Sequence, residues 1–244
     1  MASIDNRICG VHAVFEALSC GQPIERIHLS RDIQAGRLKE ILDLALSQEV
    51  PVRREERSVI DRMAPGISHQ GVVAVAGQAK YGSLEDLFKS EKGLIVVLDG
   101  VEDPHNLGAV MRTAEACAAA GVVIPERHAA QITPTVVKTS AGAAAHLPVA
   151  RVTNLVSAIE LMKERGYWIV GVDLSATQAW TEYDYKGPVA VVLGGEHRGL
   201  RRLVREHCDI LVRIPMLGKI ESLNISVAAA VVLYEVVRQR SRQA

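Results

Sequence analysis

The sequence predicts an α/β fold built on a mostly parallel sheet, and three observations carry that expectation. Short uninterrupted apolar runs of strand length, such as residues 94–98 and 189–193, recur through the second half of the chain. Between them lie stretches whose apolar residues return at helical spacing. The composition is 48% hydrophobic but only 4% aromatic, an aliphatic excess that suits strands buried on both faces. Strands separated by helices imply parallel βαβ units with right-handed crossovers.

Taken in order, residues 11–18 read as helix, 24–29 as strand, 37–46 as helix and 51–54 as strand. A short helix is expected at 59–63 and a strand at 70–76, which together make a small α/β unit with its own core. Gly82, Ser83 and several charges punctuate the stretch that follows, around a short helical patch at 84–88. The expected organisation is one domain at 1–78, a linker at 79–92 and a second domain at 93–244.

The second half opens with the strand at 94–98. Asn106 offers a helix cap, Leu107, Val110, Met111 and Ala114 follow at helical spacing, and Gly121 closes that helix. A strand at 122–125, a small-residue helix at 133–145 and a strand at 147–152 come next. Thr153 or Asn154 caps a helix that ends near Gly166. Strands follow at 167–174 and 189–193, then a helix at 200–208 and a last strand at 210–214. Ser222 is expected to open a long final helix.

A chain of 244 residues is comfortable for two domains and can bury a sizeable core. No apolar run approaches the ~20 residues of a membrane span, and the first residues lack the apolar core of a secretion signal. Cys9, Cys20, Cys117 and Cys208 lie far apart with no paired spacing, which reads as small buried hydrophobes in a reducing cytoplasm. A formal net charge of zero argues against nucleic-acid binding by the whole surface but leaves room for local patches. Arg53, Arg54 and Arg57 form one basic cluster; Arg198, Arg201, Arg202 and Arg205 form another. A solvated face carries clusters of this size too.

Three segments fit no packing pattern, and each begins where an apolar strand ends. The first runs from Asp103-Pro104-His105-Asn106-Leu107-Gly108 to Arg112. Asn106 would sit at the carboxyl edge of the sheet, where open α/β sheets bind ligands. Arg112 interrupts a run of alanines and aliphatics. An ordinary cap and a solvated arginine would look the same, so this segment alone leaves both readings open. The second segment is Leu193-Gly194-Gly195-Glu196-His197-Arg198-Gly199. Two glycines directly after a buried strand allow a ligand close to the backbone. Neither a Walker motif nor a Gly-x-Gly-x-x-Gly fingerprint is present. Glu196 could complement a helix dipole, accept from a ligand or fix Arg112. The third segment is Ile214-Pro215-Met216, followed by Ser222-Leu223-Asn224-Ile225-Ser226. The helix after it is apolar nearly all round, yet its first turns carry Ser222, Asn224 and Ser226, and buried polar groups need partners. The histidines His105, His146, His197 and His207 show no metal-ligand spacing, and no metal is expected.

In this order and at these spacings, the segments closely resemble the three motifs of the SpoU branch of the SPOUT RNA 2′-O-ribose methyltransferases. Gly10-Val11-His12-Ala13-Val14 and His69-Gln70-Gly71 extend the resemblance into the N-terminal unit. The resemblance implies S-adenosyl-L-methionine as cofactor, a deep trefoil knot in a C-terminal parallel-sheet domain, and a small N-terminal α/β RNA-binding domain similar to ribosomal proteins. It also implies an RNA substrate, most like a guanosine of 23S ribosomal RNA, and a homodimer with sites at the interface. By resemblance, the catalytic set is Asn106, Arg112, Glu196, Ser222 and Asn224. The donor would contact Gly194, Gly195, Ile214, Met216, Ser222 and Leu223; Glu221 is left without a role. A ribose hydroxyl is a poor nucleophile until its proton leaves, and a guanidinium with a pKa above about 12 is a poor base. Arg112 is therefore expected to orient and to stabilise charge. The rival readings are an α/β enzyme with another nucleotide cofactor, a 2′-O-methyltransferase of tRNA or another rRNA site, and a non-catalytic RNA-binding relative.

Overall fold

The computed structural model describes residues 7–33, 38–77, 81–90, 93–195 and 199–241. Two units separate, residues 1–80 and 81–244. The first runs β1 (Arg7–Cys9), α1 (Val11–Ser19), β2 (Ile24–Ser30), α2 (Leu38–Ser47), β3 (Val52–Glu55), α3 (Arg57–Met63) and β4 (Val72–Ala76). Its sheet has the order β1-β4-β2-β3, with β4 antiparallel to β1 and β2, and β2 parallel to β3. Strand alternation sorts the side chains. Ile27, Leu29, Val72 and Ala74 meet Val14, Leu18, Ile41 and Ala45 from α1 and α2 on one face. Val73 packs with Ile60 of α3 on the other. The last strand starts two residues later than expected because Gln70 and Gly71 take left-handed backbone, with φ of 50° and 81°.

The second unit runs α4 (Leu84–Phe88), β5 (Leu94–Asp99), α5 (Pro104–Ala116), β6 (Gly121–Pro125), α6 (Pro134–Thr139), a 3₁₀ turn (Ala143–Ala145), β7 (Val149–Val152), α7 (Leu155–Glu164), β8 (Trp168–Val172), β9 (Gln178–Ala179), β10 (Val189–Gly194), α8 (Arg202–Glu206), β11 (Ile210–Arg213) and α9 (Ile225–Ser241). The sheet order is β7-β6-β5-β10-β8-β11-β9, and every neighbouring pair is parallel. The α/β class and the parallel sheet are as the apolar runs predict. On one face Val96, Leu98, Val122, Val191 and Leu193 pack against α5 and α9. On the other, Ile95, Val97, Val123, Ala190 and Val192 pack against α4, α7 and α8. Burying both faces explains why these strands read as continuous apolar runs rather than alternating ones. Among the described residues no helix is long and apolar enough to cross a membrane.

Several boundaries differ from the sequence reading. α5 stops at Ala116, because Ala118 turns left-handed at φ 54°. Gly121 opens β6 instead of closing the helix. The helix expected at 133–145 breaks after Thr139, where Ala141 and Gly142 take φ of 50° and 93°. α9 begins at Ile225 rather than Ser222.

Gly121 is glycine because nothing larger fits: a Cβ there would lie 2.3 Å from Leu87 Cδ2 and 2.5 Å from the Pro148 carbonyl oxygen. Gly121→Ala should therefore destabilise the second unit by about 1–3 kcal/mol, the usual cost of overpacking. Gly187→Ala, where a Cβ meets nothing within 4 Å, should stay within about 0.5 kcal/mol of the parent. Both tryptophans, Trp168 and Trp180, lie in this unit, so urea unfolding followed by tryptophan fluorescence reads it separately.

Candidate functional site

The three anomalous segments leave β5, β10 and β11 at one edge of the sheet; β5 and β10 are neighbours, and β8 lies between β10 and β11. β5 and β10 pair with Leu98 beside Leu193 and Asp99 beside Gly194. After β5, Asp103 caps α5: its Oδ1 accepts the His105 amide at 2.8 Å, and Pro104 takes the first helical position. Asn106 is thus not the cap but lies inside the first turn, only 8% exposed. Its Nδ2 donates to Asp103 Oδ2 at 3.4 Å, and its Oδ1 accepts from Asn224 Nδ2 at 3.0 Å. Asn224 Oδ1 in turn accepts the Ser226 amide at 2.9 Å and the Ser226 hydroxyl at 2.6 Å. Asn224 therefore does the work expected of Ser222 at the start of α9, and Ser222 is exposed. The first and third segments are joined side chain to side chain.

Arg112 stays outside this network. Six residues beyond Asn106, it points about a third of a turn away around α5. It is exposed, and among the described residues its guanidinium has no hydrogen-bond or ion-pair partner.

The described ends of the second segment are tied to the end of β5. The Gly195 amide donates to the Asp99 carbonyl at 2.9 Å, and the Gly199 amide to the Gly195 carbonyl at 3.0 Å. The Arg201 amide donates to Asp99 Oδ2 at 2.7 Å and Arg201 Nε to Asp99 Oδ1 at 2.5 Å. A Cβ on Gly194 would sit 2.0 Å from the Gly199 carbonyl carbon, and one on Gly195 2.5 Å from the Gly100 carbonyl oxygen. The glycines admit the chain's own backbone, a reason the sequence reading, which assigned them to ligand approach, did not contain. Glu196 lies outside the described residues. Asp99, only 2% exposed, went unnoticed in the sequence, although a carboxylate closing an otherwise apolar strand at this edge was the available signal.

Beside this loop opens a cleft of about 470 Å³. Gly194, Gly195, Ile214, Met216, Ser222 and Leu223 all line it, joined by the apolar Val172, Leu193, Ile225 and Ala228. Four polar residues without a sequence-assigned role in a site also line it: Asp173, Ser175, Arg205 and Glu221. Asp173 Oδ1 accepts the Ser175 amide and hydroxyl at 2.8 and 2.6 Å, and Arg205 lies 3.8 Å from its Oδ2. No cysteine lines the cleft. Burial pushes the Cys117 thiol up to about 11 and the Cys208 thiol up to about 12, so neither is a thiolate near neutrality.

Residues 93–234 match the SpoU rRNA Methylase family, and residues 7–82 match the RNA 2′-O ribose methyltransferase substrate-binding family. The chain belongs to the SpoU family of RNA methyltransferases. The chain is 45% identical over 241 residues to the 23S rRNA (guanosine-2′-O-)-methyltransferase RlmB of Pseudomonas putida, covering 96% of each chain. It is 43% identical over 246 residues to YacO of Bacillus subtilis, a TrmH family protein, covering 99% of this chain and 98% of YacO. The SpoU methyltransferase AviRb of Streptomyces viridochromogenes, solved with its cofactor AdoMet, superposes with a TM-score of 0.74 at 27% identity, over 97% of this chain and 90% of AviRb.

SpoU enzymes are RNA 2′-O-methyltransferases that use S-adenosylmethionine. The cleft fits such a group. Its volume is in the range of small-ligand sites, its aliphatic walls suit a flat heterocycle, and the Asp173 and Glu221 carboxylates suit a cationic ligand.

The Asp99 carboxylate anchors one wall of the cleft, so Asp99→Asn should loosen it without touching a lining side chain. Exchanging the charged acceptor for an amide should cost about 2 kcal/mol. Hydrogen-exchange mass spectrometry should show faster exchange at the Gly195, Gly199 and Arg201 amides, with β6 and β7 unchanged; unaltered protection of that loop would deny Asp99 its anchoring role.

Proposed function

We propose that this chain transfers the methyl group of S-adenosylmethionine to the 2′-hydroxyl of a guanosine in 23S ribosomal RNA. The observation that carries the reading is the hydrogen bond between the buried Asn106 and the exposed Asn224 beside the 470 Å³ cleft, two amides held where the first and third motifs meet. The identity to RlmB over nearly the whole chain supports guanosine and 23S ribosomal RNA.

In this reading Gly194, Gly195, Ile214, Met216, Ser222 and Leu223 hold the donor, which supplies an electrophilic methyl on a sulfonium. The donor would supply its methyl to the ribose oxygen and leave as a neutral thioether, and the hydroxyl proton would pass to solvent water. Asn106 and Asn224 hold the reacting hydroxyl and its neighbours in place, and their mutual hydrogen bond fixes both amides before substrate arrives. Arg112, with no internal partner among the described residues, is free to meet the negative charge that develops on the ribose oxygen or lies on its phosphate. Glu196 keeps the positioning role that the resemblance gives it.

The remaining assignments belong to the same reading. Residues 1–78 recognise RNA, consistent with the substrate-binding match over 7–82; residues 79–92 connect, and residues 93–244 carry the transfer domain with its trefoil threading. Two copies form a homodimer that covers Leu217, 98% exposed, the exposed Ile220 and Val227 around the start of α9, and the exposed Tyr234 midway along it. The enzyme works in the cytoplasm. A second reading, a 2′-O-methyltransferase of tRNA or another rRNA site, is favoured by the likeness to YacO, a TrmH family tRNA/rRNA protein.

Mapping 2′-O-methylated nucleotides in cellular RNA with and without the protein should reveal one guanosine of 23S ribosomal RNA that loses its mark. Methylating the 2′-oxygen removes the nucleophile of alkaline cleavage, so labelled methyl should be recovered in alkali-resistant dinucleotides. Label in mononucleotides carrying a methylated base would make the reaction type wrong. A mark on tRNA would favour the second reading.

Arg112→Ala should lower kcat by about 10²–10³, with donor affinity by calorimetry within about twofold of the parent. Turnover at the parent rate would remove Arg112 from the mechanism.

A further inference from the structure

A second cleft opens at the same edge of the sheet, on the other side of the β5 exit, and nothing in the reaction above uses it. The first cleft lies over the ends of β10, β8 and β11. The second, about 530 Å³, lies over the ends of β6 and β7 and beside the start of α8. Gly195 and Gly199 line the first, Arg201 and Arg202 the second.

The charges around this second cleft are unequally satisfied. Arg201 is tied to the buried Asp99, Arg202 lies 3.1 Å from Glu206, and His128 lies 3.8 Å from Glu102. Arg127, exposed at the rim, has no such partner among the described residues. Its loop is held in place. The Glu126 amide donates to the Val152 carbonyl at 2.9 Å, the Ala130 amide to the Val101 carbonyl at 2.7 Å, and His128 between them takes left-handed backbone at φ 56°. Leu203, 53% exposed, also lines the cleft, with the buried Leu155 and Val204.

An unpaired guanidinium in a cleft that also shows an exposed aliphatic side chain is chemistry that takes a nucleotide. The planar fork matches a phosphate, and the apolar surface takes the face of a base. We propose that this cleft holds a nucleotide flanking the one that is methylated, with its phosphate on Arg127 and its base against Leu203. The proposal rests on the reading above only in requiring an RNA substrate.

The test measures binding without turnover. Labelled 23S ribosomal RNA transcript and, in parallel, a tRNA pool are titrated with the full chain, without donor, over a series of salt concentrations. Arg127→Glu should weaken binding of the RNA that the parent retains by at least about tenfold and reduce the log–log salt slope by about one. Arg127→Lys should stay within about threefold of the parent. Leu203→Asp should weaken binding several-fold without lowering the slope. Donor affinity by calorimetry should stay within about twofold throughout, which separates this cleft from the first.

RNA binding by Arg127→Glu equal to the parent's would overturn the proposal, as would failure of Arg127→Lys to rescue or binding of neither RNA by the parent. Protection of Arg127 from phenylglyoxal by guanosine monophosphate as effective as that by RNA would make the cleft a free-nucleotide site and also overturn it. If RNA binding responds as expected while no ribose is methylated, the proposed reaction fails and this cleft stands. If methylation and binding both proceed unchanged in Arg127→Glu, only the cleft assignment fails.

Discussion

Hydrogen bonding between β5 and β10 sets Asp99 beside Gly194 in the middle of a parallel sheet, and the rest of the site is arranged around that juxtaposition. Because the strands are parallel, both chains leave the sheet at the same edge. One continues into the turn that Asp103 caps, the other into the loop that returns to Asp99.

At this edge a largely apolar unit accepts polar groups, and it does so by completing their hydrogen bonds. The Asp99 carboxylate receives a backbone amide and a guanidinium. The Asn106 and Asn224 amides receive each other, with Asp103 and Ser226 at the two ends of the chain. Buried polar groups left half satisfied would be costly, whereas a connected set fixes a unique geometry. Two clefts of different character flank this scaffold, one with carboxylates in its lining and the other with arginines at its rim.

Much of this was legible in the amino-acid order, for identifiable reasons. The central strands announced themselves because burial on both faces removes the alternation that would otherwise blur a short run. The six residues Gly194, Gly195, Ile214, Met216, Ser222 and Leu223, grouped by resemblance, do share one cleft. Helix ends were less legible. Asn106 and Asp103 are both good caps by residue type, and only the position of Pro104 and the bond from Asn224 decide between them. Ser222 and Asn224 posed the same ambiguity at α9. β1 and β9, three and two residues long, are too short for any period to register. Asp99 shows in the sequence only as a carboxylate closing an apolar strand; its partner, Arg201, is distant in sequence, and a long-range ion pair leaves no local pattern. The reason for Gly194 and Gly195 was hidden in the same way, since the atoms that exclude a side chain belong to Gly199 and Gly100.

The hydrogen bond between Asn106 and Asn224 also has a meaning in time. During synthesis the β5 exit and Asn106 emerge from the ribosome long before Asn224. Over that interval Asn106 lacks its partner amide, and the cleft lacks the walls that Ile214, Met216 and Leu223 provide. A nascent chain can therefore assemble most of its sheet before the proposed site is complete. The Asn106–Asn224 bond can form only in the last interval, when the start of α9 meets α5.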